Sequence, residues 1–190
     1  MVNDNIETEK LKLHKNLSQV FNRLCKEKKW VEARLALLEW LENEPDSHWL
    51  LAQLSDIYYL ERNYEKALEY SEQALSIAPR CPLVLWYYAE ILFKLERNKE
   101  AYVVYKGLMR RGVRRIAYGE CGEGIRDARG IVNDCRYTLG ILYARFGDFG
   151  LARKYVKAHI ANRNRNCLSN FALRDVKEDL VSILEGKVPN

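Results

Sequence analysis

Catalysis needs titratable side chains that converge, and their spacing in this chain does not favour it. The three histidines, His14, His48 and His159, stand far apart. None pairs with another ligand type four residues away, so no helix face for a metal emerges. The five cysteines, Cys25, Cys81, Cys121, Cys135 and Cys167, are odd in number and hold no C-x-x-C pair. They read as small buried or half-buried side chains. There is no Ser/His/Asp order, no H-E-x-x-H and no nucleotide fingerprint. Paired acids such as Glu42 and Glu44, or Glu178 and Asp179, read as surface charge. The expectation is a chain that is not an enzyme, with no metal and no cofactor.

Two further stretches carry chemistry of a weaker kind. Gly119-Glu120-Cys121-Gly122-Glu123-Gly124 is glycine-rich, but it lacks the Lys-Ser/Thr of a phosphate loop and follows no strand. It precedes a helix, whose N-terminus attracts anions, yet Glu120 and Glu123 already supply negative charge there. It reads as a loop that turns the chain, and its acids disfavour a Cys121 thiolate. Basic residues gather at Arg110, Arg111, Arg114 and Arg115, then at Arg153, Lys154, Lys157, Arg163 and Arg165. Residues 1–100 hold 14 basic and 17 acidic side chains, net −3; residues 101–190 hold 17 and 9, net +8. A basic half opens RNA or polyanion binding as one reading. No regular column of base-reading side chains supports it, and a solvated convex face is the plainer account.

The elements that position these residues are helices. The 190 residues are 48% hydrophobic and 30% charged, enough for a packed core, and only four prolines and ten glycines interrupt them. No run approaches the roughly 18 apolar residues of a membrane span. The start, MVNDNIETEKLKLHK, has no apolar signal core, so a cytoplasmic protein with no membrane partner is expected. Asn5 is placed to cap a helix from Ile6 to about Lys26, with Leu13, Leu17, Val20, Phe21 and Leu24 at helical spacing. Lys28-Lys29 breaks it. A second helix carries Val31, Leu35, Leu38 and Leu41, with Pro45 beyond. From Ser47 to Pro79 the pattern sharpens into two helices broken at Asn63-Tyr64. The first holds Leu51, Leu54, Ser55 and Tyr58; the second holds Ala67, Ser71 and Ala74.

That stretch resembles a tetratricopeptide repeat, whose signature is W-x2-L-G-x2-Y, then A-x3-F, then P, within 34 residues. A shift of 34 residues back lands on Leu17, Val20, Phe21, Leu24, Trp30, Ala33 and Pro45. A shift forward lands on Leu85, Tyr88, Ala89, Leu92, Ala101 and Tyr105. The next copy, with Leu139-Gly140, Tyr143, Gly147-Asp148-Phe149 and Ala152, is delayed by 17 residues, Ile116 to Val132. Ile125, Ala128, Val132, Cys135, Leu139, Leu142 and Phe146 form one apolar stripe. It predicts an unbroken helix from near Ile125, two to three turns early, with Gly130 the place for a kink. A helix over about Gly150–Asn162 follows. The polar connector Arg163-Asn164-Arg165-Asn166 leads to a last helix, about Phe171 to Glu185. Ser169 or Asn170 would cap it, Phe171, Val176, Leu180 and Leu184 share one side, and Gly186 stops it.

The resemblance implies an all-α fold: a right-handed superhelical array of four helix-turn-helix hairpins plus a C-terminal capping helix. One domain over 1–190 would hold repeats at about 12–46, 47–81, 82–115 and 133–166, an insert at 116–132 and the cap at about 170–186. It implies a protein–protein interaction module, a scaffold or adaptor, whose first helices line a concave groove. The columns around the packing residues supply Lys15, Ser18, Asn22 and Lys26, then Trp49, Ala52, Gln53, Asp56 and Tyr59. The third repeat gives Leu83, Trp86, Tyr87, Glu90 and Phe93, and the fourth gives Asp134, Tyr137, Thr138, Ile141 and Arg145. From these the expected partner-binding residues are Asn22, Trp49, Gln53, Asp56, Tyr59, Trp86, Tyr87, Glu90, Phe93, Tyr137 and Arg145. Trp49 and Tyr59 lie opposite their helix's packing stripe; for Trp86 and Tyr87 groove and core are equal readings. The carboxylate clamp of some family members is broken here: Asn22 matches, but Ser18, Gln53, Leu83 and Tyr87 hold the other columns. A peptide with apolar or aromatic anchors fits better. Two other readings stand beside it: RNA or polyanion binding by the basic half, and a secretion-type chaperone that holds an apolar segment. Neither the partner nor the oligomeric state is legible.

Overall fold

Four tight turns set the frame of the chain. In the computed structural model, which describes residues 17–165 and 167–189, left-handed backbone occurs at Lys28, Arg62, Glu96 and Gly147. The intervals are 34, 34 and 51 residues, and 51 is one repeat plus 17. At each turn the following N–H reaches back five residues: Lys29 to Leu24 at 2.9 Å, Asn63 to Tyr58 at 2.9 Å, Arg97 to Leu92 at 2.9 Å, Asp148 to Tyr143 at 2.8 Å. This is the Schellman closure, which uses the carbonyls a helix end leaves bare. Three of the four residues have side chains that cost roughly 1–2 kcal/mol in this conformation. The hairpin therefore dictates the backbone against local preference.

The turns separate nine helices among the described residues: α1 (17–26), α2 (Trp30–Asn43), α3 (His48–Leu60), α4 (Tyr64–Ile77), α5 (Pro82–Lys94), α6 (Asn98–Tyr118), α7 (Gly124–Arg145), α8 (Phe149–Arg163) and α9 (Leu173–Leu184). No strand occurs among these residues, so the fold is all-α. The expected Asn5 cap, the helix start at Ile6, Leu13 and Asn166 lie outside the described residues. By their internal contacts the residues form two compact units, one ending at Ile77 and one beginning at Ala78.

In the first unit Leu17, Phe21, Ala33, Leu37, Leu50, Leu54 and Ile57 form the core. The expected apolar side of α2 is corrected: Val31 and Leu35 are 52% and 59% exposed. Ala33 and Leu37 are buried instead, with Trp30, Leu38, Trp40 and Leu41 packed alongside. The i, i+4 count from Val31 picked the wrong phase, whereas the repeat's alanine column picked the right one. Val20 is likewise exposed. Between α3 and α4 the helices meet at small residues, where the buried Ser55 hydroxyl donates to the Ala67 carbonyl at 2.9 Å. Ala33, Ala67, Ala101 and Ala152, one per hairpin, are all fully buried, as close helix crossings demand.

In the second unit the same logic holds at Gly140, where a Cβ would meet Val156 Cγ2 at 2.6 Å. The helix α8 can approach α7 only because that side chain is missing. The delay between hairpins is built from three pieces. Past Arg111, where a repeat helix would stop, Gly112 breaks the helix with φ 72° and a further turn runs to Tyr118. The glycine-rich loop then folds back tightly: a Cβ on Gly119 would lie 2.4 Å from the Arg115 carbonyl, and one on Gly122 2.6 Å from that of Ala117. Finally α7 begins at Gly124, early as expected, and runs 22 residues. Ala128, Val132, Cys135, Leu139 and Leu142 of its stripe are buried, while the end members Ile125 and Phe146 are exposed.

Gly130 does not kink α7. A Cβ there would meet Leu168 at 3.4 Å, so the glycine lets the connector from α8 lie directly on the helix. The last helix packs on α8 through Val176 and Ile183. Leu184 is 52% exposed, a correction to the expected stripe, and Phe171 lies ahead of the helix. The N-cap is Ala172, because the Ser169 hydroxyl accepts instead from the Phe171 N–H at 3.1 Å in a local turn. Gly186, at φ 71°, ends the helix with Schellman bonds from Gly186 to Ile183 and from Lys187 to Ser182.

Candidate functional site

The expected partner-binding residues fall on both units. In the first, Asn22 is exposed, Gln53 is buried, and Trp49, Asp56 and Tyr59 are half-buried. Trp49 packs edge-on against Phe21, ring centroids 6.2 Å apart, and Tyr59 against Tyr64 at 5.6 Å. These contacts hold the aromatic rings of α1, α3 and α4 together.

In the second unit several members have structural partners. The Tyr137 ring lies on Phe171 at 4.4 Å and on His159 at 5.5 Å. Its hydroxyl donates to Asp179, so Tyr137 fastens α9 and the connector. The Arg145 guanidinium sits 4.3 Å over the Phe93 ring and donates to Asn98 Oδ1 at 2.8 Å. Glu90 accepts from the Tyr105 hydroxyl at 2.6 Å. Trp86 is only 5% exposed and packs edge-on against Tyr105 at 5.7 Å.

Trp86 and Tyr87 nevertheless line a cavity of about 250 Å³ between α5 and α7. Leu83 joins them from α5. Asp127, Gly130, Ile131 and Asp134 come from α7, Glu123 precedes that helix, and Leu168, Ser169 and Asn170 come from the connector. Positions 123, 127, 130, 131 and 134 recur at helical spacing and form one face of α7, beside its packing stripe. The extension of α7 thus serves two masters: one stripe enters the core, the other walls the cavity.

Asp134 is the centre of this wall. It is 2% exposed, and Oδ2 accepts from the Asn170 N–H at 2.8 Å. Oδ1 has no hydrogen-bond partner. His159 Nδ1, 3.8 Å from Oδ1, donates instead to the Asn133 carbonyl at 2.9 Å. Burial holds the His159 pKa below its ordinary value, so the ring is neutral and brings no charge to Asp134. Burial pushes the Asp134 carboxyl up to about 6, against the opposing pull of Ser169, the Asn170 N–H and Arg163. Glu123 is also raised, by burial and then by Asp127. Of the acids, sequence reasoning had only Asp134 in a groove column. Glu123 and Asp127 were missed, although their i, i+4 spacing before Asp134 was visible.

A second cavity, of about 610 Å³, lies at the end of α6. Arg80, Arg111, Arg114 and Arg115 line it with one acid, Glu120, and with Tyr118, which is 72% exposed. Arg111 donates to the Arg80 carbonyl at 2.6 Å. Among the described residues none of these four arginines forms an ion pair with a carboxylate. Near it, Cys81 and Cys121 bring their sulfurs within 4.8 Å, and burial pushes the Cys81 thiol up to about 11, leaving it protonated at neutral pH.

No protein-family model matches the sequence, and no curated protein sequence matches it. Solved structures do. PilW, a widely conserved type IV pilus biogenesis factor, superposes with a TM-score of 0.62 at 21% identity, over 78% of this chain and 61% of its own. A tetratricopeptide repeat protein from Parabacteroides merdae gives 0.58 at 16%, over 90% and 61%. YrrB, a TPR protein with an unusual peptide-binding site, gives 0.53 at 17%, over 87% and 80%. The chain thus spans about 61% of the first two. At these identities the likeness speaks for the fold, and it agrees with the recurring turns and alanines. The chain has a tetratricopeptide-type helical repeat fold.

Proposed function

We propose that the chain is a protein-interaction module whose second unit takes a peptide segment over the cavity between α5 and α7. One observation carries this: first helices of two successive hairpins, α5 and α7, wall a recess with Trp86 and Tyr87 beside it. Aromatic side chains offer large contact area at low entropy cost and dominate binding energetics elsewhere. That YrrB, a chain of the same fold, is described by its peptide-binding site supports the reading at the level of architecture. The test is Tyr87→Ala, because Tyr87 is half-buried whereas Trp86 is part of the core. A peptide selected against the full chain from a displayed library should lose at least about tenfold in affinity with no change in melting temperature. Unchanged affinity removes this cavity from consideration.

The arginine cavity supports a second reading, polyanion binding. Four arginines without carboxylate partners around one recess, with an exposed tyrosine, are the components of a single-strand nucleic-acid surface. A 12-nucleotide single-stranded RNA should then shift at micromolar protein and about 50 mM salt, and Arg114→Gln with Arg115→Gln should abolish the shift. No shift at that salt excludes it.

A further inference from the structure

We propose that Cys81 and Cys121 are a redox pair that closes to a reversible disulfide, tying the glycine-rich loop to the start of α5. The inference stands apart from the peptide and polyanion readings above.

Placement is the first argument. Both residues carry free thiols, and their sulfurs lie within 4.8 Å of each other. Cys81 is the N-cap of α5, whereas Cys121 lies in the loop between α6 and α7. Sulfurs this close need side-chain rotation, not travel of the backbone, to reach the bonded distance of about 2.05 Å.

The backbone of the loop is the second and independent argument. Cys121 holds φ 53°, a left-handed conformation that glycine adopts freely and other residues adopt at a cost. Gly119, Gly122 and Gly124 stand around it, yet a cysteine occupies this position. The loop is also fastened. The Gly119 N–H donates to the Arg115 carbonyl at 3.1 Å, and the Glu123 N–H to that of Ile116 at 3.2 Å. Cys121 is therefore held beside Cys81, which raises the effective concentration of one sulfur at the other.

Exposure divides the roles. Cys121 is half-buried and open to a small oxidant, while Cys81 is 2% exposed. With a low-molecular-weight disulfide as oxidant, Cys121 gives its proton to water and attacks one sulfur. The oxidant's S–S bond breaks, and one thiol leaves after taking a proton. Cys81 then loses its proton and attacks the Cys121 sulfur, and the mixed disulfide breaks to release the second thiol. The two cysteines lose two electrons and two protons in all, and the oxidant gains them. Burial keeps the Cys81 thiol protonated, with its pKa near 11, so it resolves the mixed disulfide and does not start the reaction.

The bond has a place to act. Arg80 and Pro82 flank Cys81, Gly119 and Glu120 precede Cys121, and all four line the arginine cavity. Closure joins the two walls of that cavity.

The test uses the full chain equilibrated with mixtures of oxidised and reduced glutathione, quenched in acid, alkylated and mapped by mass spectrometry. One linked peptide pair should appear, joining Cys81 to Cys121, with Cys25, Cys135 and Cys167 still alkylated. The melting temperature should rise by about 5 °C or more and return on adding dithiothreitol. Cys81→Ser should remove the link and leave one glutathione on Cys121. Cys121→Gly, which suits the left-handed backbone, should remove both link and shift while melting no lower than the reduced parent. Absence of the Cys81–Cys121 peptide at every glutathione ratio overturns the inference. So does a linked form that melts at or below the temperature of the reduced protein.

Discussion

The two cavities of the second unit are opposites, each lined in part by the 17 extra residues. The one between α5 and α7 is walled by acids, two of them raised by burial, beside a core tryptophan. The one at the end of α6 is walled by arginines around an exposed tyrosine. In the first, Asp134 is buried and Glu123 half-buried, so these two carboxylates carry a desolvation cost, while Asp127 is exposed. In the second, charge is largely solvated and screened, so four arginines strain the fold little. A site is therefore better diagnosed by what its residues cost the free protein than by how many charges it gathers.

The largest expected contrast is in packing. Trp86→Ala should cost about 3–5 kcal/mol of stability, as other buried tryptophans do, in chemical denaturation. Tyr118→Ala at the arginine cavity should stay within about 0.5 kcal/mol. Equal effects would mean that the two recesses are not different in kind.

The next contrast is in titration. The folded Asp134 pKa, about 6, lies above its ordinary 3.8. The folded state therefore prefers the protonated acid. Well below pH 3.8 both states are protonated and nothing is lost. As pH rises toward 6 the unfolded chain ionises first and stability falls, by up to about 3 kcal/mol at about 1.4 kcal/mol per unit. Asp134→Asn should thus be more stable than the parent at pH 7 and gain almost nothing near pH ~2.5. Arg114→Gln should show no such dependence.

Salt separates the cavities again. Polyanion binding at the four arginines should lose affinity with a log–log slope of about −3, at roughly −0.7 per neutralised phosphate on a single strand. A peptide bound over the cavity between α5 and α7 should show a much shallower slope in fluorescence anisotropy. The smallest effect tests the frame on which both hang. Glu96 holds φ 58°, so Glu96→Gly should stabilise by up to about 1 kcal/mol in denaturant melts.

How much of this was legible follows from what repeats. The turn after each first helix, the alanine at each crossing and the small residue at Ser55, Ala89 and Gly140 recur because two helices must touch there, and recurrence is visible in sequence. So was the long α7, since its stripe keeps one phase from Ala128 to Leu142. The site is the part that does not recur. Trp86 could be read as groove or core because it is both, a buried ring whose side walls a recess. Tyr137, read as a partner residue, also holds Asp179, a contact 42 residues away along the chain that no local pattern announces. Glu123 was read only as negative charge in the loop before the helix and Asp127 was not singled out, because it takes the connector Leu168–Asn170, folded onto Gly130, to make a recess there.

The central claim is that the wall of the cavity between α5 and α7 holds a buried acid, Asp134, whose carboxyl burial pushes up to about 6. The direct measurement is the pH titration of its side-chain carboxyl by carbon-13 NMR, with Asp134→Asn to assign the signal. The account predicts a midpoint near 6. A midpoint near 4 would contradict it.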